Sequence, residues 1–206
     1  MMRTVHIVMA TRNPHKFREL AALVAVPGIS WHSLAAFPSV GSIREDGRTF
    51  AANAIKKARA VARATKHLAL ADDSGLEVDA LDGEPGVRSA RFAGRHGDDA
   101  ANNAKLLRLL DGRPASQRRA RYRCVLALAS PTRLLAVTEG QLVGRIALRP
   151  AGRGGFGYDP IFVVLRRGIT VAQLSAEAKN RISHRAIAAR RMRRHLNVYR
   201  SESSRF

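Results

Sequence analysis

Short uninterrupted apolar runs alternate along the chain with segments whose apolar residues recur every three or four positions, which is the pattern of strands and helices taken in turn. Thr4 to Ala10 reads as a first strand, apolar enough to be central. Phe17, Leu20, Ala21 and Val24 follow at helical spacing, with Asn13 as N-cap and Pro14 at the first helical position, where a missing N–H is harmless. Pro27 to Ser42 is mixed strand and loop. A second helix spans roughly Phe50 to Thr65 under a Thr49 cap, and its Lys56, Lys57, Arg59 and Arg63 read as a solvated face. Leu68 to Ala71 is an apolar run that stops at Asp72-Asp73-Ser74-Gly75. Those residue types supply turn chemistry, so the strand is expected to end there.

Leu76, Val78 and Ala80 then alternate with polar residues as a further strand, and Gly83 to Gly94 reads as loop. A third helix runs from an Asp98 or Asp99 cap through Leu110 and closes at Gly112. Arg119 to Ala129 is a strand entering a core; Ser130-Pro131-Thr132 turns it into a strand over Leu134 to Thr138, and another spans about Gln141 to Ile146. Ile161 to Leu165 is apolar and strand-like. The last helix has Ser183 as its cap, an apolar side of Ile187, Ala188, Met192 and Leu196, and a basic side of Arg190, Arg191, Arg193 and Arg194. No repeat or linker divides the chain, so residues 1–206 are expected to form a single domain whose tail is poorly ordered from about residue 198.

Composition narrows the class. At 46% hydrophobic residues over 206 positions, the chain can bury a substantial core. Cys124 stands alone within an apolar run, which excludes a disulfide framework and points to a core thiol. The apolar stretch after the N-terminus is too short for a signal peptide, and nothing approaches a membrane span, so a cytoplasmic protein with no membrane partner is expected. The net charge of +20 favours an anionic partner without saying which.

Three stretches carry candidate chemistry. Adjacent Asp72 and Asp73 repel each other and need a counter-charge; a divalent cation is one solution, since magnesium takes few protein carboxylates and completes its shell with water and phosphate. Taken alone, Asp-Asp-Ser-Gly reads first as a solvated turn. Thr11-Arg12-Asn13-Pro14-His15-Lys16 places free backbone N–H groups, the positive end of a helix dipole and a lysine together, which suits an anion, although an ordinary capped helix would look the same. Gly152 to Asp159 holds four glycines in six residues with Phe156 and Tyr158 between them, a loop able to lie against a phosphate or a ring. Glu45, just ahead of the second helix, is either favoured by the helix dipole or a second metal ligand.

The motifs together resemble the inosine triphosphate pyrophosphatase family. They are Ala10-Thr-Arg-Asn13-Pro-His-Lys16 with Glu19-Leu20; Glu45-Asp-Gly47-Arg-Thr49-Phe50 with Asn53-Ala54 and Lys57-Ala58-Arg59; Ala71-Asp72-Asp73-Ser74-Gly75-Leu76; Pro85-Gly86 with Ser89-Ala90-Arg91; Gly154-Gly155-Phe156-Gly157-Tyr158-Asp159-Pro160; and Lys179-Asn180 through Ser183-His184-Arg185. Their order over some nine-tenths of the chain is what makes the match specific. Departures are Phe92 in place of a common tyrosine, and Ala178 in place of a glutamate, which weakens a Ser175 capping box.

The resemblance implies an α/β fold with a mixed twisted sheet flanked by helices, two lobes with a central cleft, and a homodimer. It implies hydrolysis of dITP, ITP and XTP to the monophosphate and pyrophosphate with magnesium, one ion per subunit, or manganese. In that reading Glu45 and Asp73 hold the metal, and Asp73 or Asp72 accepts the proton of the attacking water. Thr11, Arg12, Asn13, Pro14, His15, Lys16, Lys57, Ser74 and Lys179 contact the nucleotide, mainly its phosphates. Phe156, Gly157, Tyr158 and Asp159 sandwich and fix the ring, and His184 and Arg185 donate to the C6 oxygen. Two rivals differ in class. A basic nucleic-acid-binding protein would confine its charge to one segment, which this chain does not. A Maf-type nucleotide pyrophosphatase would not carry the Ser183-His184-Arg185 and Phe156-to-Asp159 matches.

Overall fold

A computed structural model describes residues 4–203; the side chains of His15, Glu202 and Ser203, like residues 1–3 and 204–206, lie outside the described residues. The strands are β1 (Val5–Met9), β2 (Ile29–Ser33), β3 (Leu68–Val78), β4 (Arg119–Ala129), β5 (Leu134–Ile146), β6 (Phe162–Val164) and β7 (Ile169–Thr170). They form a seven-stranded sheet in the order β2-β1-β3-β4-β5-β6-β7. β1 runs parallel to both β2 and β3, while β5–β6 and β6–β7 are antiparallel, so the sheet is mixed. The helices are α1 (Pro14–Leu23), α2 (Phe50–Thr65), α3 (Asp99–Leu109), α4 (Ala176–Ile182) and α5 (His184–Ser203). The mixed α/β architecture expected from the sequence is therefore the one observed. Among the described residues no helix is long and apolar enough to cross a membrane.

Local chemistry accounts for the helix starts. Asn13 Oδ1 accepts from the Lys16 amide at 3.2 Å, Thr49 Oγ1 from Ala52 at 3.1 Å and Asp98 Oδ1 from Ala101 at 3.0 Å, each satisfying an orphan donor of a first turn. Ser175 caps α4 in the same way, accepting from Ala178 at 3.2 Å; its half of the capping box survives without the glutamate. α2 stops at Lys66, which adopts the left-handed conformation.

Four expectations are corrected. The strand at Leu68 does not end at the acidic pair: β3 passes through Asp72, Asp73, Ser74 and Gly75 to Val78 without a turn. The segments at 134–138 and 141–146 are one strand, β5, because Glu139 and Gly140 stay in the ladder. The stretch ahead of Ser183 is a separate short helix, α4. Lys57 is not on a solvated face but only 8% exposed. The tail remains helical to Ser203, and Arg200 donates to the Pro27 carbonyl at 3.0 Å.

The chain forms two compact units. The first comprises Met1–Asp73, Cys124–Gly140 and Arg185–Phe206, and its core gathers Ile7 and Met9 of β1, Leu20 and Val24 of α1, Leu70 of β3, Leu126 and Leu128 of β4, and Met192 and Leu196 of α5. The second comprises Ser74–Arg123 and Gln141–His184, with a core of Leu76 and Val78 of β3, Leu106 and Leu110 around α3, Tyr122 of β4, Ile146 of β5, and Ile161 and Phe162. Buried Arg118 donates to the carbonyls of Leu110, Ile146 and Ala147 in that unit, tying the end of α3 to the end of β5. Gly144 of β5 lies so close under the Phe162 ring that a Cβ would overlap it. Gly144→Ala is therefore expected to lower stability by about 1–3 kcal/mol through overpacking, read as a lower urea midpoint at unchanged slope. An unchanged midpoint would mean the ring has room to move.

Candidate active site

In the first unit, α1, α2 and β3 bring an acidic and a basic set together. Asp72 is 2% exposed, and its Oδ2 lies 2.8 Å from Lys16 Nζ. Lys57 Nζ lies 3.0 Å from Glu45 Oε1, and Arg185 lies 3.5 Å from Glu19. Asp73 Oδ2 accepts from Asn53 Nδ2 at 3.0 Å. The same Asn53 accepts from the Gly47 amide at 2.8 Å, so one buried amide ties the loop carrying Glu45 to the strand carrying Asp73. Glu45, Lys57 and Asp73, drawn from three separated segments, thus surround one locality. Successive strand residues point to opposite faces, which explains why Asp72 meets Lys16 while its neighbour meets Asn53.

The two aspartates are pushed in opposite directions. Burial would raise Asp72, but Lys16, Lys57 and Arg185 outweigh it and hold its carboxyl at about 2. Burial dominates at Asp73; Lys57 and Asn53 pull the other way, Glu45 and Asp72 add repulsion, and the carboxyl stands at about 6. Lys57 is buried too, yet Asp72, Glu45 and Asp73 keep its pKa above the usual lysine value. Asp72 is therefore a permanent anion that fixes a lysine, and Asp73 is the group poised to exchange a proton near neutrality. Burial pushes the Cys124 thiol well up, as befits a core residue.

The loop over residues 11–16 of the first unit is internally bonded. Thr11 Oγ1 accepts from Asn13 N at 3.2 Å, Arg12 donates to the Val40 carbonyl, and Pro14 opens α1. Among the described side chains of this loop, the Lys16 ammonium meets the acidic set. Ser74 follows Asp73 in β3 and is half-buried.

In the second unit, Asp159 is the hub. It is 3% exposed and accepts from Tyr122 Oη at 3.1 Å, Lys179 Nζ at 2.6 Å and the Phe156 amide at 3.0 Å. Gly155 has φ +78°, and a Cβ there would collide with the Asp159 carboxylate, so both space and conformation require glycine. Lys179 Nζ also stands 4.6 Å from the Phe156 ring centroid. His184 stacks on Tyr122 with ring centroids 4.7 Å apart and lines a cavity of about 10 Å³ with Tyr122, Asp159, Lys179 and Ser183. Such a space holds about one water.

Three site expectations change here. Tyr158 is not available to stack on a ligand: it is buried, and its hydroxyl donates to the Ser89 carbonyl at 2.9 Å, which leaves half-exposed Phe156 as the loop's aromatic face. Arg185 is engaged with Glu19 and Asp72 in the first unit and does not line the cavity that His184 lines. Lys179, expected to add a point charge for the phosphates, is paired to Asp159. Sequence reasoning gave no role to Asn53 or Tyr122. The signal for Asn53 was available: it lies four residues from both Thr49 and Lys57, on the helix face that also carries Phe50 and Ala54.

Comparison with known proteins finds relatives over most of the chain. A model of the Ham1 family matches residues 7–195. A dITP/XTP pyrophosphatase of Geobacillus kaustophilus is 55% identical over 182 residues, covering 88% of this chain and 89% of its own. The solved structure of a HAM1 protein from Coxiella burnetii superposes with a TM-score of 0.87 at 40% identity, covering 94% of this chain and 99% of its own. The Staphylococcus aureus Ham1 protein gives 0.86 at the same identity and coverage.

Isosteric replacement of the adjacent aspartates should shift stability in opposite directions. Asp72's depressed carboxyl contributes stability that is present above about pH 4 and lost as the pH falls toward 2, so Asp72→Asn should cost roughly 2–3 kcal/mol at pH 7. Asp73's raised carboxyl makes the folded state the better proton binder between about pH 4 and 6, so stability falls as the pH rises through that window. Asp73→Asn removes that penalty and should raise the melting temperature at pH 7. Thermal melts from pH 4 to 8 decide it; two variants shifted in the same direction at pH 7 would contradict the assignment.

Proposed function

The chain belongs to the Ham1 family, and from that premise we propose that it hydrolyses noncanonical purine nucleoside triphosphates (dITP, ITP and XTP) to the monophosphate and pyrophosphate, with residues 1–206 acting as a single nucleotide pyrophosphatase domain. The carrying observation is the unequal pair of neighbouring aspartates. Asp73, held by Asn53 and beside Lys57, takes the proton as a water oxygen bonds to the α-phosphorus and the bond to pyrophosphate breaks. Asp72 stays ionised and keeps Lys16 oriented toward the anionic tail. Lys57 and the amides at the start of α1 add charge and donors for the phosphates.

Among the described residues no three His, Cys, Asp or Glu side chains form a complete metal cage. Magnesium does not need one, since it takes one or two carboxylates and keeps water and phosphate in its shell. Glu45 and Asp73 fit that requirement: both are hard oxygen donors beside the same lysine, two carboxylates against one ammonium. They would hold the ion, with manganese as the alternative, and when bound it neutralises charge on phosphate oxygens.

Selectivity falls to the second unit. Phe156 offers its face to a purine, and His184 can donate to a C6 oxygen where adenine would oppose it with an amino donor. An opposed buried donor costs about 1–3 kcal/mol, or roughly tenfold to a hundredfold in rate. The cavity beside His184 is too small for a purine as it stands. A cytoplasmic homodimer belongs to the same reading. The test is pyrophosphate release from dITP, XTP, ATP, GTP and dTTP, with and without magnesium. Metal-dependent release at least about tenfold faster from dITP and XTP than from ATP is expected; equal rates on all five substrates would remove the selectivity assignment, and no release from any would remove the enzyme.

A further inference from the structure

The loop that presents Phe156 has little conformational preference of its own. Gly155 and Gly157 flank the aromatic ring and both have positive φ, +78° and +62°. What fixes the loop comes from α3. Asp99 Oδ2 accepts from the Gly157 amide at 2.6 Å, and one turn later Asn103 Nδ2 donates to the Gly157 carbonyl at 3.0 Å. Residues four apart share a helix face, so one face of α3 grips both backbone polar groups of a single glycine. The Asp99 bond is charge-assisted, and its carboxylate sits in the first turn, where the helix dipole favours it. Asp98 does the capping, which leaves Asp99 to the loop. On the other side of Phe156, its own amide is held by Asp159.

We propose that Asp99 and Asn103 are positioning residues that set the orientation of Phe156, and through it the affinity and base selectivity for the purine. This rests on the pyrophosphatase reading above. Neither side chain is assigned contact with substrate; both act through Gly157.

Asp99→Ala and Asn103→Ala should each raise the KM for dITP about tenfold, the loss expected of one strong hydrogen bond, leave kcat within about twofold, and narrow the dITP-over-ATP ratio of kcat/KM. Asp99→Asn, which keeps an acceptor at the same place, should restore most of the KM. Independently of turnover, hydrogen exchange over residues 154–158 should speed up in both alanine variants and stay slow elsewhere. Unchanged exchange in that segment, or unchanged KM and selectivity beside an active unaltered chain, overturns the clamp; so does a fall of kcat in step with a lowered melting temperature. Absence of pyrophosphate release by the unaltered chain, with exchange responding as expected, would remove the pyrophosphatase reading and leave the α3–loop clamp standing as a structural device.

Discussion

Two consecutive carboxylates buried inside a strand are what the first unit is built to accommodate. Charged groups cannot leave water without partners, and removing one partner of a buried pair typically costs about 3–5 kcal/mol. β3 carries Asp72 and Asp73 where both are largely withdrawn from solvent, so the neighbouring helices must deliver cations and donors to meet them. α1 delivers Lys16, α2 delivers Lys57 and Asn53, and the start of α5 brings Arg185. Because strand residues alternate in direction, the two acids meet different partners and acquire different proton affinities. The chemistry proposed for the chain follows from that asymmetry.

The second unit solves a different problem with the same economy of groups. A loop rich in glycine reaches conformations other residues cannot, but it has no reason to stay in one of them. Here it is tied from two directions. Asp159 draws Tyr122, Lys179 and the Phe156 amide onto one carboxylate, and α3 holds the peptide groups of Gly157. Lys179, neutralised by Asp159, serves the aromatic ring rather than acting as a free charge.

How far the sequence could be read depends on the range of the interactions involved. α2 and β4 fall where periodicity, caps and alternation put them, because those signals are local. β3 was misread for an equally physical reason: Asp-Asp-Ser-Gly is turn chemistry when judged by its neighbours, and only Lys16, Lys57 and Arg185, distant in sequence, make a continuous strand affordable for two acids. Lys57 looked solvated because a lysine on a helix usually is; its burial is set by Glu45, twelve positions back. Tyr158 looked like a ligand platform beside Phe156, yet successive residues of a loop need not face the same way, and its hydroxyl found Ser89 in the core.

The charge of the whole chain and the charge of its candidate site point in opposite directions. The sequence carries a net +20, yet the cluster described around β3 sets the carboxylates of Glu19, Glu45, Asp72 and Asp73 against the cations Lys16, Lys57 and Arg185. A long-range positive field draws a polyanion toward the protein, since such fields act over about a Debye length and raise encounter rates. Close in, this cluster is not an excess of positive charge waiting for a phosphate. Its lysines already face acids, Lys16 against Asp72 and Lys57 against Glu45. A triphosphate settling there must arrive with added positive charge or with a proton on Asp73, which is why the reading that fits both scales is a basic protein handling a cation-bearing nucleotide rather than a basic surface holding a bare polyanion.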